Sequence, residues 1–326
     1  MTTNTATATA TATAQDAAFN SALFASPETI VPCPSEGRLH PSAEALLCAS
    51  NMARASKIIQ DHKILYPALQ QVISEAEWMV YEPRQTRARG RIICADRANG
   101  KTSIAELIQS RFCEFSRSDA PCVLRISMSG LHDTRSVYGR IMEELGTPVR
   151  LSHRLSDREL LVQRLLRNVN CRLLILDEVQ DILMGNAREQ VRVLQAVKLL
   201  MNELNMPIMA FGTDAAGRGF KEDPHLAARF TDYTLPFWKV DTTLANFLAT
   251  YERLLPLKKP SHLASPDKMA VLAKVGEGVL GKIVERVKNA ALMAIVDGSE
   301  SITKLHLKTA VLRPALCLVT PESGNA

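Results

Sequence analysis

One stretch narrows what this chain can fold into more than any other. Arg91, Ile92, Ile93 and Cys94 form a short apolar run of strand type. Ala95, Asp96, Arg97, Ala98, Asn99, Gly100, Lys101 and Thr102 follow as a polar loop. Ser103, Ile104, Ala105, Glu106, Leu107 and Ile108 then open a helical pattern. A loop that joins a buried strand to a helix N-terminus aims several backbone N–H groups at one anion. Gly-Lys-Thr at that junction reads as a phosphate-binding loop over residues 95–103. Lys101 is assigned to the β- and γ-phosphates of ATP, and the Thr102 hydroxyl to Mg2+. Ala95 stands where such loops begin with glycine. Alanine costs little there if φ stays negative, and more if it does not.

A second stretch agrees with the first. Arg172, Leu173, Leu174, Ile175, Leu176, Asp177 and Glu178 make an unbroken apolar run that ends in two carboxylates. A parallel strand buried on both faces loses polar alternation, and α/β folds bind ligands at the C-terminal edge of such strands. Asp177 is assigned to the Mg2+ water shell and Glu178 to polarising the attacking water. A core strand ending in a solvated acidic turn is the plainer alternative for these residues. Together the two stretches predict a P-loop ATPase that uses ATP and Mg2+.

The 326 residues suit one large or two modest domains, and a hydrophobic content of 46% is ample for a core. A formal charge of +5 permits a polyanion partner without demanding one. The seven cysteines are odd in number and form no CxxC, which argues against a disulfide framework or a zinc site. With no apolar run of membrane length and no signal pattern, the expectation is a soluble cytoplasmic protein without a membrane partner.

Residues 1–36 begin with a Thr/Ala alternation, have little to bury and are expected to lie outside the fold. Ile64, Tyr66 and Pro67 suit either an adenine pocket or a core turn. Arg84, Arg87, Arg89 and Arg91 form a basic turn, read as solvated surface or as a contact to phosphates. Residues 206–213 read as another buried strand. There Thr213 either senses the γ-phosphate or starts a helix. A capping box at Ser156, Asp157, Arg158 and Glu159 opens a helix. Pro236 places a last edge strand at 234–238. Beyond residue 240 the pattern is helical, which divides the chain into a core at 37–240, a helical lid at 241–318 and a short tail at 319–326.

Several stretches in this order resemble the TniB/TnsC family of transposition AAA+ ATPases. They are Ile64-Leu65-Tyr66-Pro67, ANGKTSI, LLILDEVQDIL, DPHLAARF, LPFW, and LPLKKPSHLAS before GVLGKIVERVKNAALMAI. The resemblance implies an α/β AAA+ fold with a five-stranded parallel core sheet and a C-terminal helical lid. It implies a homo-oligomer, ring or filament, assembled with ATP on double-stranded DNA through backbone contacts. A DDE transposase and a TniQ-type target-selection protein would be its partners, in a bacterial, nucleoid-associated setting. Arg229 would match the arginine finger that reaches a neighbour's nucleotide, and Lys282 the second sensor. The loops carrying Arg135, Arg150 and Arg154 would face DNA in a central pore. A nucleotide-binding scaffold with negligible hydrolysis and a helicase or helicase-loader-type ATPase are the competing functions.

Overall fold

The computed structural model describes residues 30–31, 38–84, 87–113, 122–149, 154–315 and 319; the Thr/Ala tract lies outside them. The chain begins with β1 (Ile30–Val31), α1 (Pro41–Glu44), α2 (Asn51–Ile59), β2 (Lys63–Ile64) and α3 (Pro67–Tyr81). There follow β3 (Gly90–Cys94), α4 (Lys101–Cys113), β4 (Cys122–Ser127), α5 (Thr134–Glu144) and α6 (Leu155–Asn168). Then come β5 (Cys171–Asp177), a 3-10 turn (Val179–Met184), α7 (Ala187–Leu204), β6 (Ile208–Gly212), α8 (Asp214–Glu222), α9 (Pro224–Ala227) and β7 (Phe230–Thr234). After β7 come the helices α10 (Thr242–Arg253), α11 (Pro266–Gly276), α12 (Leu280–Val296) and α13 (Lys304–Thr309). β1, inside the stretch expected outside the fold, pairs in parallel with β2.

Five strands form one parallel sheet in the order β4-β5-β6-β3-β7. From β3 the chain runs to the far edge, returns through β5 and β6, and ends on the other side of β3. That reversal opens a crevice at the C-terminal ends of the strands, where the phosphate loop follows β3. Side chains alternate between two buried layers. Ile92, Leu174, Leu176 and Ala210 pack with Val137 and Ile141 of α5, Val162 of α6 and Val197 of α7. Ile93, Leu173, Ile175 and Phe211 pack with Val72 of α3 and Ile104 and Ile108 of α4. Burial on both faces is why these strands read as continuous apolar runs.

The edge strand lies four residues earlier than expected. β7 ends at Thr234, and Pro236, which has no N–H to give a ladder, falls beyond it. A third apolar cluster gathers Leu244 and Leu248 of α10, Leu272 of α11, Ile283 and Val287 of α12, and Ile58 of α2. Arg54 of α2 is 1% exposed and tethers this helical layer. Its guanidinium donates to Pro256 O at 2.9 and 2.8 Å and pairs with Glu300. Among the described residues no helix is long and apolar enough to cross a membrane.

Candidate nucleotide-binding site

The phosphate loop leaves β3 where Ala95 N–H donates to Gly212 O of β6 at 3.0 Å. Ala95 is 2% exposed and packs with Ile93, Ile104 and Ala105. The left-handed backbone falls on Ala98 (φ 59°) and Gly100 (φ 81°), and Ala95 is not among the positive-φ residues. The alanine at the loop's first position therefore carries no backbone penalty. Ala98 does carry one, roughly 1–2 kcal/mol for a residue with a β-carbon.

Lys101 opens α4 and is 6% exposed. Its ammonium donates to Ala95 O and Asp96 O, both at 2.9 Å, so it lies across the start of the loop. Burial lowers its pKa, opposed by the carboxylates of Glu178, Asp177 and Asp96.

Asp177 closes β5 and is 1% exposed. Arg125 of β4 lies 3.2 Å from its Oδ2, and Glu178 N–H donates to its Oδ1 at 3.0 Å. Burial raises its pKa, against the pull of the Thr102 hydroxyl and the Arg125 charge. Thr102 and Asp177 thus meet across two elements. Two hard oxygen donors leaving the remaining positions to water and phosphate suit Mg2+, which rarely takes an all-protein cage. No cluster of three His, Cys, Asp or Glu that could hold a metal ion occurs among the described residues. Glu178 adopts φ 57°, and its carboxylate accepts the side-chain amide of Gln180.

Lys101, Thr102 and Glu178 face one cavity of about 410 Å3, lined beside them by Ala98, Gly100 and Ser103; Asp177 does not line it and lies behind Thr102. Ile64, Tyr66, Phe247, Leu280 and Val284 line the other end. Tyr66 serves both readings of its turn, because it lines the cavity and packs edge-on against Trp238 with ring centroids 5.0 Å apart. Burial pushes its hydroxyl up to about 12. Pro67 and Asn99 border a neighbouring cleft of about 230 Å3 instead. Asp96 and Arg97 are exposed on the loop's outer side.

The remaining candidates lie elsewhere. Thr213 occupies the N-cap position of α8 after β6 and does not line the cavity. Lys282, in the first turn of α12, is half-exposed and ion-paired with Glu277, also away from the cavity. Arg229 follows α9, and its carbonyl accepts Gly90 N–H at 3.0 Å. Its guanidinium is away from its own chain's cavity, with Nη1 buried and unpaired. Arg135 and Arg154 are exposed at the starts of α5 and α6, which a bond from Arg158 to Arg135 O (3.1 Å) ties together. Arg150 lies outside the described residues. In the basic turn Arg84 donates to Leu204 O and, at 3.1 Å, to Cys171 O; Arg91 pairs with Glu75 at 2.6 Å. Those two arginines tie elements together within the fold.

Sequence reasoning missed Arg125, whose one signal was a charge inside a core strand. It also missed Leu280 and Phe247, which carry no signal beyond apolar periodicity.

No curated protein matches the chain. Solved structures do. ORC2 of Aeropyrum pernix, in its ADPNP–ADP complexes, matches with a TM-score of 0.59 at 16% identity, over 78% of this chain and 70% of that one. ORC1 of the same organism in complex with DNA gives 0.60 at 15%, over 78% and 68%. Cdc6p of Pyrobaculum aerophilum gives 0.55 at 14%, over 76% and 67%. At such identities the likeness is one of fold, that of the AAA+ ATPases. The family described as bacterial TniB protein matches residues 54–240, more than half of the chain. The chain therefore belongs to the TniB family of transposition-associated AAA+ ATPases.

Proposed function

We propose that the protein binds ATP with Mg2+, assembles as a homo-oligomer on duplex DNA, and there recruits a DDE transposase and a TniQ-type target-selection partner. The observation that carries the nucleotide reading is the convergence of Lys101, Thr102, Asp177 and Glu178. It joins the start of α4 to the end of β5 across β6. Bound Mg2+ would neutralise charge building on the phosphates. Loop N–H groups and Lys101 would hold the phosphates in line, and Glu178 would orient and polarise water. The DNA reading draws support from the family and from a DNA-bound ORC1 of the same fold.

A titration with a fluorescent ATP analogue tests it. Lys101→Ala should bind at least tenfold more weakly, because the phosphate charge loses its main cation. Glu178→Gln should bind as wild type and lose hydrolysis, since an amide cannot polarise water in the same way. Wild-type affinity in Lys101→Ala would make the loop assignment wrong.

One observation favours the second reading, a scaffold with slow turnover: Gln180 holds the Glu178 carboxylate. Phosphate release with and without duplex DNA separates the two. A helicase finds no support, since the elements after β7 are all helical among the described residues.

A further inference from the structure

α12 starts against the phosphate loop, and backbone donors join the two. Gly281 N–H donates to Ala98 O at 2.9 Å, and Leu280 N–H to Asn99 Oδ1 at 3.2 Å. The first N–H groups of a helix have no partner within it. Here two of them are satisfied by the loop, and Asn99 is only 3% exposed. Gly281 permits the approach, since a β-carbon there would lie 2.5 Å from Ala98 O. The Ala98 carbonyl that accepts this bond belongs to the residue held at φ 59°.

The contact continues on the other side of the turn. Gly278 O accepts Trp238 N–H at 2.9 Å, and Trp238 packs on Tyr66, which lines the cavity. Loop, first turn of α12 and Trp238 thus form a continuous chain of contacts beside the site. Lys282, the charged group of that turn, points to Glu277 and takes no part.

We propose that Asn99 and Gly281 latch the lid helix to the phosphate loop, so that occupancy of the loop reaches the lid through these two contacts. The proposal rests on the nucleotide reading above. Asn99 is then a positioning residue: it acts on the lid through Leu280. A loop drawn toward bound phosphates moves α12 with it, and Trp238 registers the movement.

The chain's two tryptophans make this measurable. Trp78 is 71% exposed on α3, and Trp78→Phe leaves Trp238 as the single reporter. In that background saturating ATP with Mg2+ should shift the Trp238 emission, while a labelled ATP analogue follows binding separately. Adding Asn99→Ala should leave binding detectable, speed dissociation about tenfold and abolish the Trp238 shift, because Leu280 N–H loses its acceptor. Adding Gly281→Ala should abolish the shift too, by forcing loop and helix apart. If Asn99→Ala does not fold, loss of the shift in Gly281→Ala alone sustains the latch. A parental shift in either variant at saturation overturns it. Binding without any Trp238 shift in the Trp78→Phe parent also overturns it and leaves the nucleotide reading standing. A parent that binds no labelled ATP removes both.

Discussion

At the scale of single residues, the buried charges decide most. Arg54 is enclosed by Glu300 and the Pro256 carbonyl, partners that no sequence window contains. Removing one partner of a buried pair leaves the other uncompensated, at about 3–5 kcal/mol. Arg54→Ala should therefore lower the midpoint of denaturant unfolding sharply, by far more than an exposed Arg→Ala change such as Arg97→Ala. Glu300 adds a pH dependence. Burial raises its pKa, but the Arg54 hydrogen bonds, the Lys258 N–H and both charges outweigh burial and hold it below the usual 4.5. A depressed carboxylate stabilises the fold above its unfolded pKa and loses that contribution as pH falls through the folded one. Melts of wild type and Glu300→Gln should thus differ steadily while pH stays above the usual 4.5, and converge only as pH falls on below it through the depressed folded value. A gap that persists into acid would show that the Glu300 charge is not what matters. Ala95 behaves in the opposite way: this departure from the usual loop residue carries no left-handed backbone strain.

At the scale of elements, a short polar side chain caps several of the helix starts. Asp133 accepts Ser136 N–H at 3.0 Å before α5, Asn186 accepts Glu189 N–H at 3.0 Å before α7, and Asp241 accepts Leu244 N–H at 2.9 Å before α10. α6 starts earlier than the expected box. Its cap is Arg154, whose N–H donates to Asp157 at 3.2 Å, so Asp157 serves the box as the acceptor from within the helix and not as part of its start. The consequence is that the exposed Arg154 and Arg135 stand at two neighbouring helix starts. The double change Arg135→Ala, Arg154→Ala should weaken duplex binding equally for unrelated sequences. It should also lower the salt slope by about one unit for each phosphate that a protomer no longer neutralises. Affinity measured against salt concentration checks both, and an unchanged slope in ATP removes these helix starts as the DNA-binding surface.

At the scale of the whole molecule, the proposed homo-oligomer can be tested at Arg229. Arg229 lies away from its own chain's cavity, with a buried, unpaired guanidinium nitrogen that burial and Arg87 make harder to keep charged. An arginine acting across a protomer boundary contributes about 10³-fold or more to phosphoryl transfer. Arg229→Ala should bind ATP normally and lose hydrolysis in the oligomer. Mixing it with Lys101→Ala protomers should restore part of the activity, since each supplies at some boundaries what the other lacks. No recovery at any mixing ratio, with oligomers still forming, would count against a shared site.

The sequence alone determined the features that depend on neighbours along the chain. The strand–loop–helix unit around Lys101, the apolar run ending at Asp177 and Glu178, and the helical pattern after residue 240 are all local patterns of period and charge. A buried parallel strand must be apolar on both faces, and a phosphate loop needs its glycine, lysine and hydroxyl in order, so such patterns survive without a structure. Only the tertiary structure decided which distant groups meet. Strand order brings Arg125 onto Asp177, and helix packing sets Leu280 and Gly281 on the loop while turning Lys282 toward Glu277. Those meetings depend on crossings between elements far apart in sequence, and a side chain's partner across such a crossing leaves no periodicity to read.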